Sequence, residues 1–218
     1  ALAPKPRGIG SIEPSQSAIL VSGVSAIQDH QIIYGTTKVG GTIVYKEATD
    51  NNKFLHVVVA LAGHECEEIQ TVYLNDEALT LDGSGNVTAP DKYNGLVRIN
   101  KHLGAATQAA DADLVTDSDG KWTADHRLQG IAYVYARLEF NADAFPNGEP
   151  NITAEVKGKK VFDPRTGSTA FSSNAALCLR DYMNNNYGLA TDIDEIDDTL
   201  VAAAANICDE DITLAAGG

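Results

Sequence analysis

The residues best suited to bind a metal ion lie together in the run His64–Glu68, which reads His-Glu-Cys-Glu-Glu. Imidazole, thiolate and carboxylate groups are the usual protein ligands of zinc. The spacing is not HExxH, and on an extended chain neighbouring side chains point to alternate faces, so they cannot converge on one ion. We therefore interpret this run as a solvated turn that leads into a strand.

A second acidic pattern, Asp117-x-Asp119-Gly120, has part of the spacing of a calcium loop. An EF-hand requires a further Asp or Asn two residues earlier, where this chain has Val115, and a glutamate farther on that is missing here. We interpret the pattern as a β-turn. The acidic run 192–198 lacks the loop glycine, and it is typical of a helix start, where the helix dipole favours negative charge.

Motifs for nucleophilic or nucleotide chemistry are missing from the chain. There is no Gly-x-Ser-x-Gly elbow and no P-loop. Gly8-Ile9-Gly10 has neither a third glycine nor a preceding strand, so it is not a dinucleotide fingerprint. We assign no catalytic, cofactor-binding or metal-binding residue, and we expect the protein not to be an enzyme.

Aromatic and basic residues offer two binding interpretations. Tyr133 and Tyr135 share one face of a predicted strand and could stack on a sugar, although core or interface packing is the commoner fate of such tyrosines. Lys157, Lys159 and Lys160 form a basic turn. In so acidic a chain we expect this turn to meet an acidic neighbouring subunit rather than nucleic acid.

Composition excludes several classes of protein. The net charge of −14 argues against a nucleic-acid-binding surface, which needs clustered Lys and Arg. No apolar run reaches the roughly 18 residues of a membrane span, and the first residues lack the apolar core of a signal peptide. Cys66, Cys178 and Cys208 form no CxxC, so we expect reduced thiols. Met183 is the one methionine, and we expect the chain to be a fragment of a longer polypeptide.

Hydrophobic patterning predicts an antiparallel β domain followed by helices. Short apolar or alternating runs separated by turn residues predict strands at 18–21, 31–35, 42–45, 54–62, 68–75, 96–100, 128–138, 152–156 and 161–162. Part of 104–114 is predicted to be helical. Because the period changes after Gly167, we predict an arm or linker at 1–17, a β-rich domain at 18–167 and a helical segment at 168–218 that leads to a missing downstream domain. The predicted fold class is α+β.

Two helices are predicted in the last segment. Apolar residues at helical spacing predict the first at 174–187, with Gly188 at its end and with Cys178 and Leu179 buried against the β domain. The second is predicted at 194–207. Its apolar stripe contains Ile193, Ile196, Leu200, Ala203, Ala204 and Ile207.

Several motifs together resemble the tip attachment protein of lambda-type long-tailed phages. The resemblance spans roughly 33–210, and it depends on the order and spacing of the motifs. They are Ile33-Tyr34-Gly35-x-x-Lys38-Val39-Gly40-Gly41, Leu128-x-Gly130-Ile131-Ala132-Tyr133, Phe145-Pro146-x-Gly148-x-Pro150-Asn151-Ile152, Val156-x-Gly158-Lys159-Lys160-Val161-x-Asp163-Pro164-Arg165, Asn174-x-Ala176-Leu177-Cys178-Leu179 and Ala204-Ala205-Asn206-x-Cys208-Asp209-Glu210.

The resemblance implies a structural role in the central tail tip or baseplate hub of a phage or prophage. Such hubs are threefold rings that join the tail tube to the tip, take part in host attachment and open for DNA exit. The resemblance also implies that the intact protein is a homotrimer and that it contacts the distal tail protein, the tape-measure protein and other tail tip proteins. It further implies assembly in the host cytoplasm and a final location in the virion. We expect this fragment alone to be a monomer or a weak oligomer. A carbohydrate-binding β module and a cell-wall hydrolase component remain as alternatives.

Overall fold

The computed structural model describes residues 22–23 and 29–210. The predicted arm and the predicted strand at 18–21 lie outside these residues. The described part confirms the α+β class, with antiparallel sheets followed by a small helical module. No helix within it is long and apolar enough to cross a membrane.

Two four-stranded antiparallel sheets form the body of the protein. The strands of sheet I are β1 (Thr36–Val39), β4 (Glu68–Leu74), β5 (Glu77–Ala78) and β10 (Ile152–Lys157). The strands of sheet II are β2 (Thr42–Thr49), β3 (Phe54–Ala62), β8 (Val97–His102) and β9 (Ala132–Glu139). Sheet I has the order β1, β10, β4, β5, and sheet II has the order β2, β3, β9, β8. A small ribbon of β6 (Thr80–Leu81) and β7 (Val87–Ala89) lies before β8.

The two sheets share one buried core. Alternate residues of β3 and β9, such as Val57, Val59 and Val134, belong to the same buried cluster as Val72 of β4 and Ala154 of β10. Side chains on one face of a strand recur every second residue, so each strand contributes one row to this core. The arrangement is a β-sandwich.

The other face of sheet II is also covered. The segment between β8 and β9 folds back over it and carries the short helix α1 (Ala112–Asp117). Leu114 and Trp122 of this segment form a second buried cluster with Val58, Tyr133 and Tyr135. Burial on both faces explains why β3 and β9 read as nearly continuous apolar runs.

Helix α1 corrects the prediction of helix at 104–114. The helix begins after Asp111, whose carboxylate accepts a hydrogen bond from the Leu114 amide at 2.8 Å. Such N-terminal caps satisfy amides that have no partner within the helix. The Ala-rich stretch before Asp111 stays irregular.

The helical module starts with a hairpin. It consists of β11 (Lys160–Asp163) and β12 (Ser168–Phe171), followed by α2 (Ala175–Asn184), a 3-10 turn (Ile193–Glu195) and α3 (Asp198–Cys208). Its small core contains Val161, Leu177 and Ala205. Strand β12 lies after Gly167 and was not predicted, because Ser-Thr-Ala-Phe carries no apolar alternation.

Two turn predictions are decided by backbone geometry. Gly130 and Gly148 have positive φ, 76° and 84°, which confirms the expectation for at least one glycine of these turns. Gly158 lacks positive φ, but a Cβ placed there would lie 2.1 Å from the Ile33 carbonyl oxygen.

The strand predicted at 31–35 is wrong, since β1 begins only at Thr36.

Candidate interaction surface

A band of buried polar side chains crosses the outer face of sheet II. His56 is fully buried, with Nδ1 2.8 Å from the Tyr135 hydroxyl and Nε2 2.8 Å from the Thr49 hydroxyl. Burial lowers the pKa of His56 and raises that of Tyr135. The imidazole is therefore neutral and satisfied at both nitrogens, so it serves as a core residue and has no free nitrogen for acid–base chemistry.

The band continues through charged groups. Arg98 of β8 donates to the Asp117 carboxylate at 2.8 Å, and Arg137 of β9 lies 3.9 Å from the same carboxylate. The Arg137 guanidinium carbon stands 4.1 Å from the ring centre of Phe54. A cavity of about 260 Å³ opens beside Arg137 and His56. Its lining residues include no cysteine or lysine, and of its three carboxylates, those of Asp50, Asp117 and Asp119, Asp117 is already engaged by Arg98.

Asp111 joins the covering segment to sheet II. Its carboxylate lies 2.6 Å from His102 Nε2 and accepts from Asn100 at 2.9 Å, in addition to capping α1. Burial acts to raise its pKa, but these hydrogen bonds outweigh it and the pKa is lowered. Asp111 therefore holds α1 in place as an ionised, multiply hydrogen-bonded group.

The run His64–Glu68 does not converge on one point. The His64 ring lies between two backbone groups: Nε2 accepts from the Ile33 amide at 2.9 Å, and Nδ1 lies 2.8 Å from the Glu65 carbonyl oxygen. Burial raises the pKa of the Cys66 thiol to about 12, which keeps it protonated. Within 22–23 and 29–210, no group of three or more His, Cys, Asp or Glu residues is placed to hold a metal ion.

The Asp117–Gly120 pattern forms the predicted turn. Asp117 is the last residue of α1 and the turn follows at 118–120, where Asp119 and Gly120 both have positive φ, 53° and 78°. The aromatic pair Tyr133 and Tyr135 is fully buried. Neither ring can stack on a sugar, so the observation that suggested a carbohydrate-binding face is removed.

The basic turn is neutralised by acidic residues of the same chain. Lys157 pairs with Glu68 at 2.8 Å, and Lys160 lies 3.5 Å from both Glu65 and Glu67. The third lysine, Lys159, pairs with a carboxylate on α2. Each of these lysines therefore has an acidic partner within the chain, and contact of the turn with a neighbouring subunit stays a prediction.

Asp181 of α2 ties the helical module to the sandwich. Lys159 donates to it at 2.7 Å and the Tyr34 hydroxyl donates at 2.5 Å. Burial, and then the hydrogen bond to Asp181, raise the pKa of Tyr34, so its hydroxyl remains a donor. The rings of His30 and Tyr187 stack 3.6 Å apart at the same junction.

The inner face of α2 differs from the prediction. Leu177 and Arg180 are buried, whereas Cys178 is half-buried and Leu179 is 56% exposed. The predicted burial of Leu179 is therefore wrong. Arg180 takes an inner position because its guanidinium donates two hydrogen bonds to Asp198, at 2.6 and 2.9 Å. A charged residue counts as a surface residue in a hydrophobicity pattern, so the pattern did not identify this inner face.

Exposed apolar side chains concentrate on the helical module. Of the ten large apolar side chains that are exposed in the described part of the chain, seven fall between 179 and 207. They are Leu179, Tyr182, Tyr187, Leu189, Ile193, Leu200 and Ile207. Larger apolar patches on a soluble protein mark interaction sites. The module is the candidate interaction surface of this chain.

Comparison with known proteins gives a structural likeness of partial extent. No protein-family model matches the chain, and no curated protein matches it. Among solved structures, it is similar to a chain of the "Virion of native gene transfer agent (GTA) particle", with 18% identity and a TM-score of 0.45. The similarity covers 63% of this chain and 28% of that one. A likeness at this level carries no function from one chain to the other.

Proposed function

We propose that this chain is part of a structural, non-enzymatic protein of a phage-like virion, namely the central hub of the tail tip. The order and spacing of the motifs between 33 and 210 support this assignment through their resemblance to tip attachment proteins. In this role the protein connects the tail tube to the tip and takes part in host attachment and DNA exit.

The exposed apolar residues of the helical module are the structural observation that supports the proposal. Seven exposed large apolar residues concentrated on one small module are typical of a surface that contacts other proteins. A hub protein must bury such residues against its neighbours, which we propose are other copies in a homotrimer, the distal tail protein, the tape-measure protein and other tail tip proteins.

The net charge of −14 suits a protein past which DNA must move. Like charges repel, so an acidic wall does not retain a phosphate backbone. The same charge repels identical copies, and this repulsion is screened by salt. We therefore expect the intact protein to be a trimer, and this chain alone to associate weakly and more strongly as ionic strength rises.

Immunogold electron microscopy tests the proposal. Antibodies raised against this chain are applied to particles released from cells that carry its gene. We expect gold at the tail tip and nowhere else. Label on the capsid or along the tube would refute the hub assignment. Preimmune serum from the same animal is the matched control.

A zymogram tests the non-enzymatic part of the proposal separately. The purified chain is run in a gel that contains cell-wall polymer, beside a known muralytic enzyme as the positive control. We expect no cleared band at the position of the chain. A cleared band would support the hydrolase alternative instead.

A further inference from the structure

The outward side of α3 carries an uninterrupted apolar stripe. Leu200 and Ile207 are 68% and 67% exposed, and Ala203 and Ala204 lie exposed between them. These residues follow the spacing i, i+3, i+4, i+7, which places them on one face of a helix. The opposite face, with Ala205 buried and Val201 half-buried, already packs within the module. The stripe is therefore a second apolar face that nothing in the described part of the chain covers.

The surroundings of the stripe are strongly acidic. Seven acidic side chains and no lysine or arginine lie between 192 and 210. Arg180 pairs with Asp198 and Arg165 pairs with Asp209, while the other five carboxylates have no ion-pair partner among the residues that the structure describes. A partner that buries the stripe meets a negative rim at both ends of α3.

We infer that the outer stripe of α3 docks an amphipathic helix of a partner protein, with apolar residues at helical spacing and lysine or arginine along its flanks. The two alanines at the centre leave room for a close approach of a second helix, while Leu200 and Ile207 provide the contacts at either end. The basic flanks follow from charge complementarity with the acidic rim.

A second copy of this chain is a poorer occupant. It would bring a second set of uncompensated carboxylates to the same interface, and like charges placed across an interface oppose association. The inference rests on the proposed role of the module as an interface. It does not depend on where the protein lies in a virion, so peptide binding and immunogold labelling can fail independently.

Two model peptides probe the stripe directly. Both are amphipathic helices about three heptads long with leucine at the inner positions, and they carry either lysine or glutamate at the flanking positions. Fluorescence anisotropy measures their affinity for the chain. We expect the lysine peptide to bind at least about tenfold more tightly than the glutamate peptide, and to weaken as salt rises from about 0.1 to about 0.5 M.

The variant Leu200→Ser/Ile207→Ser removes the ends of the stripe. Both side chains are exposed, so the fold is expected to persist, and circular dichroism checks this. The matched control is Phe140→Ser, which removes an exposed apolar residue that lies outside the module. We expect the double variant to lose at least about tenfold in affinity for the lysine peptide and the control to lose nothing, since hot-spot energy is local.

Four results would overturn the inference. They are equal binding of the two peptides, binding of neither, an equal loss in the Phe140→Ser control, and self-association of the wild-type chain that the double variant abolishes. The last would show that a second copy occupies the stripe.

Discussion

The ion pair between Arg180 and Asp198 allows a prediction about the stability of the helical module, because its two partners are buried to different extents. The Arg180 side chain is buried, 8% exposed as a residue, and its guanidinium carbon lies 4.7 Å from the ring centre of Phe162. It donates two hydrogen bonds to Asp198, at 2.6 and 2.9 Å. The Asp198 side chain is 42% exposed. The two partners of one ion pair therefore stand in different environments.

Removing Asp198 should destabilise the module more than removing Arg180. Asp198→Ala leaves a buried guanidinium unpaired, a change that typically costs about 3–5 kcal/mol for a fully buried pair. Solvent at Asp198 screens part of the interaction, so we expect about 2–3 kcal/mol here. The variant Arg180→Met keeps an unbranched apolar stem in the same place and leaves a carboxylate that water can solvate, so we expect about 1 kcal/mol or less.

Hydrogen exchange of the α2 and α3 amides measures this difference, because it reports local opening of the module. Trp122 packs in the other cluster, so its fluorescence does not report on α2 and α3. Asp194→Ala is the matched control, since Asp194 is an exposed acidic residue of the adjacent 3-10 turn without an ion pair in the described structure. An equal cost for Asp198→Ala and Arg180→Met would refute the asymmetry.

Three further predictions concern packing and pH. Leu177→Ala should cost about 2–5 kcal/mol and Leu179→Ala less than about 0.5 kcal/mol by hydrogen exchange of α2, and equal costs would contradict the assigned faces. Gly158→Ala should lower the melting temperature by several degrees, because its Cβ would collide with the Ile33 carbonyl, and an unchanged value would refute this contact. Since Asp111 has a lowered pKa, its stabilising effect is complete above the unfolded value and disappears as pH falls below about 4. Trp122 fluorescence should report that loss in wild type and a flatter acid response in Asp111→Asn.

Local patterns in the sequence determined most of the strands and the approximate positions of two helices. Phe54–Ala62 reads as one apolar run and is strand β3, because both faces of that strand are buried. The helices start one residue after their capping side chains, Asn174 and Asp197. Capping chemistry is local, so it can be read from sequence. The second helix was predicted to begin too early because Asp192 caps a separate 3-10 turn in front of it.

The tertiary structure decided which helical faces are buried and which polar residues meet. A helical period identifies an apolar face, but it does not show whether that face packs inward or outward. In α3 most of the predicted stripe is exposed, although Ile196 before the helix is buried. The buried band joins His56 to Tyr135, which lies 79 residues away in the chain, and to Thr49 on the neighbouring strand, through the pairing of β2, β3 and β9. Contacts of this kind depend on how strands are ordered in space, and strand order is set by the sum of long-range packing rather than by any local pattern.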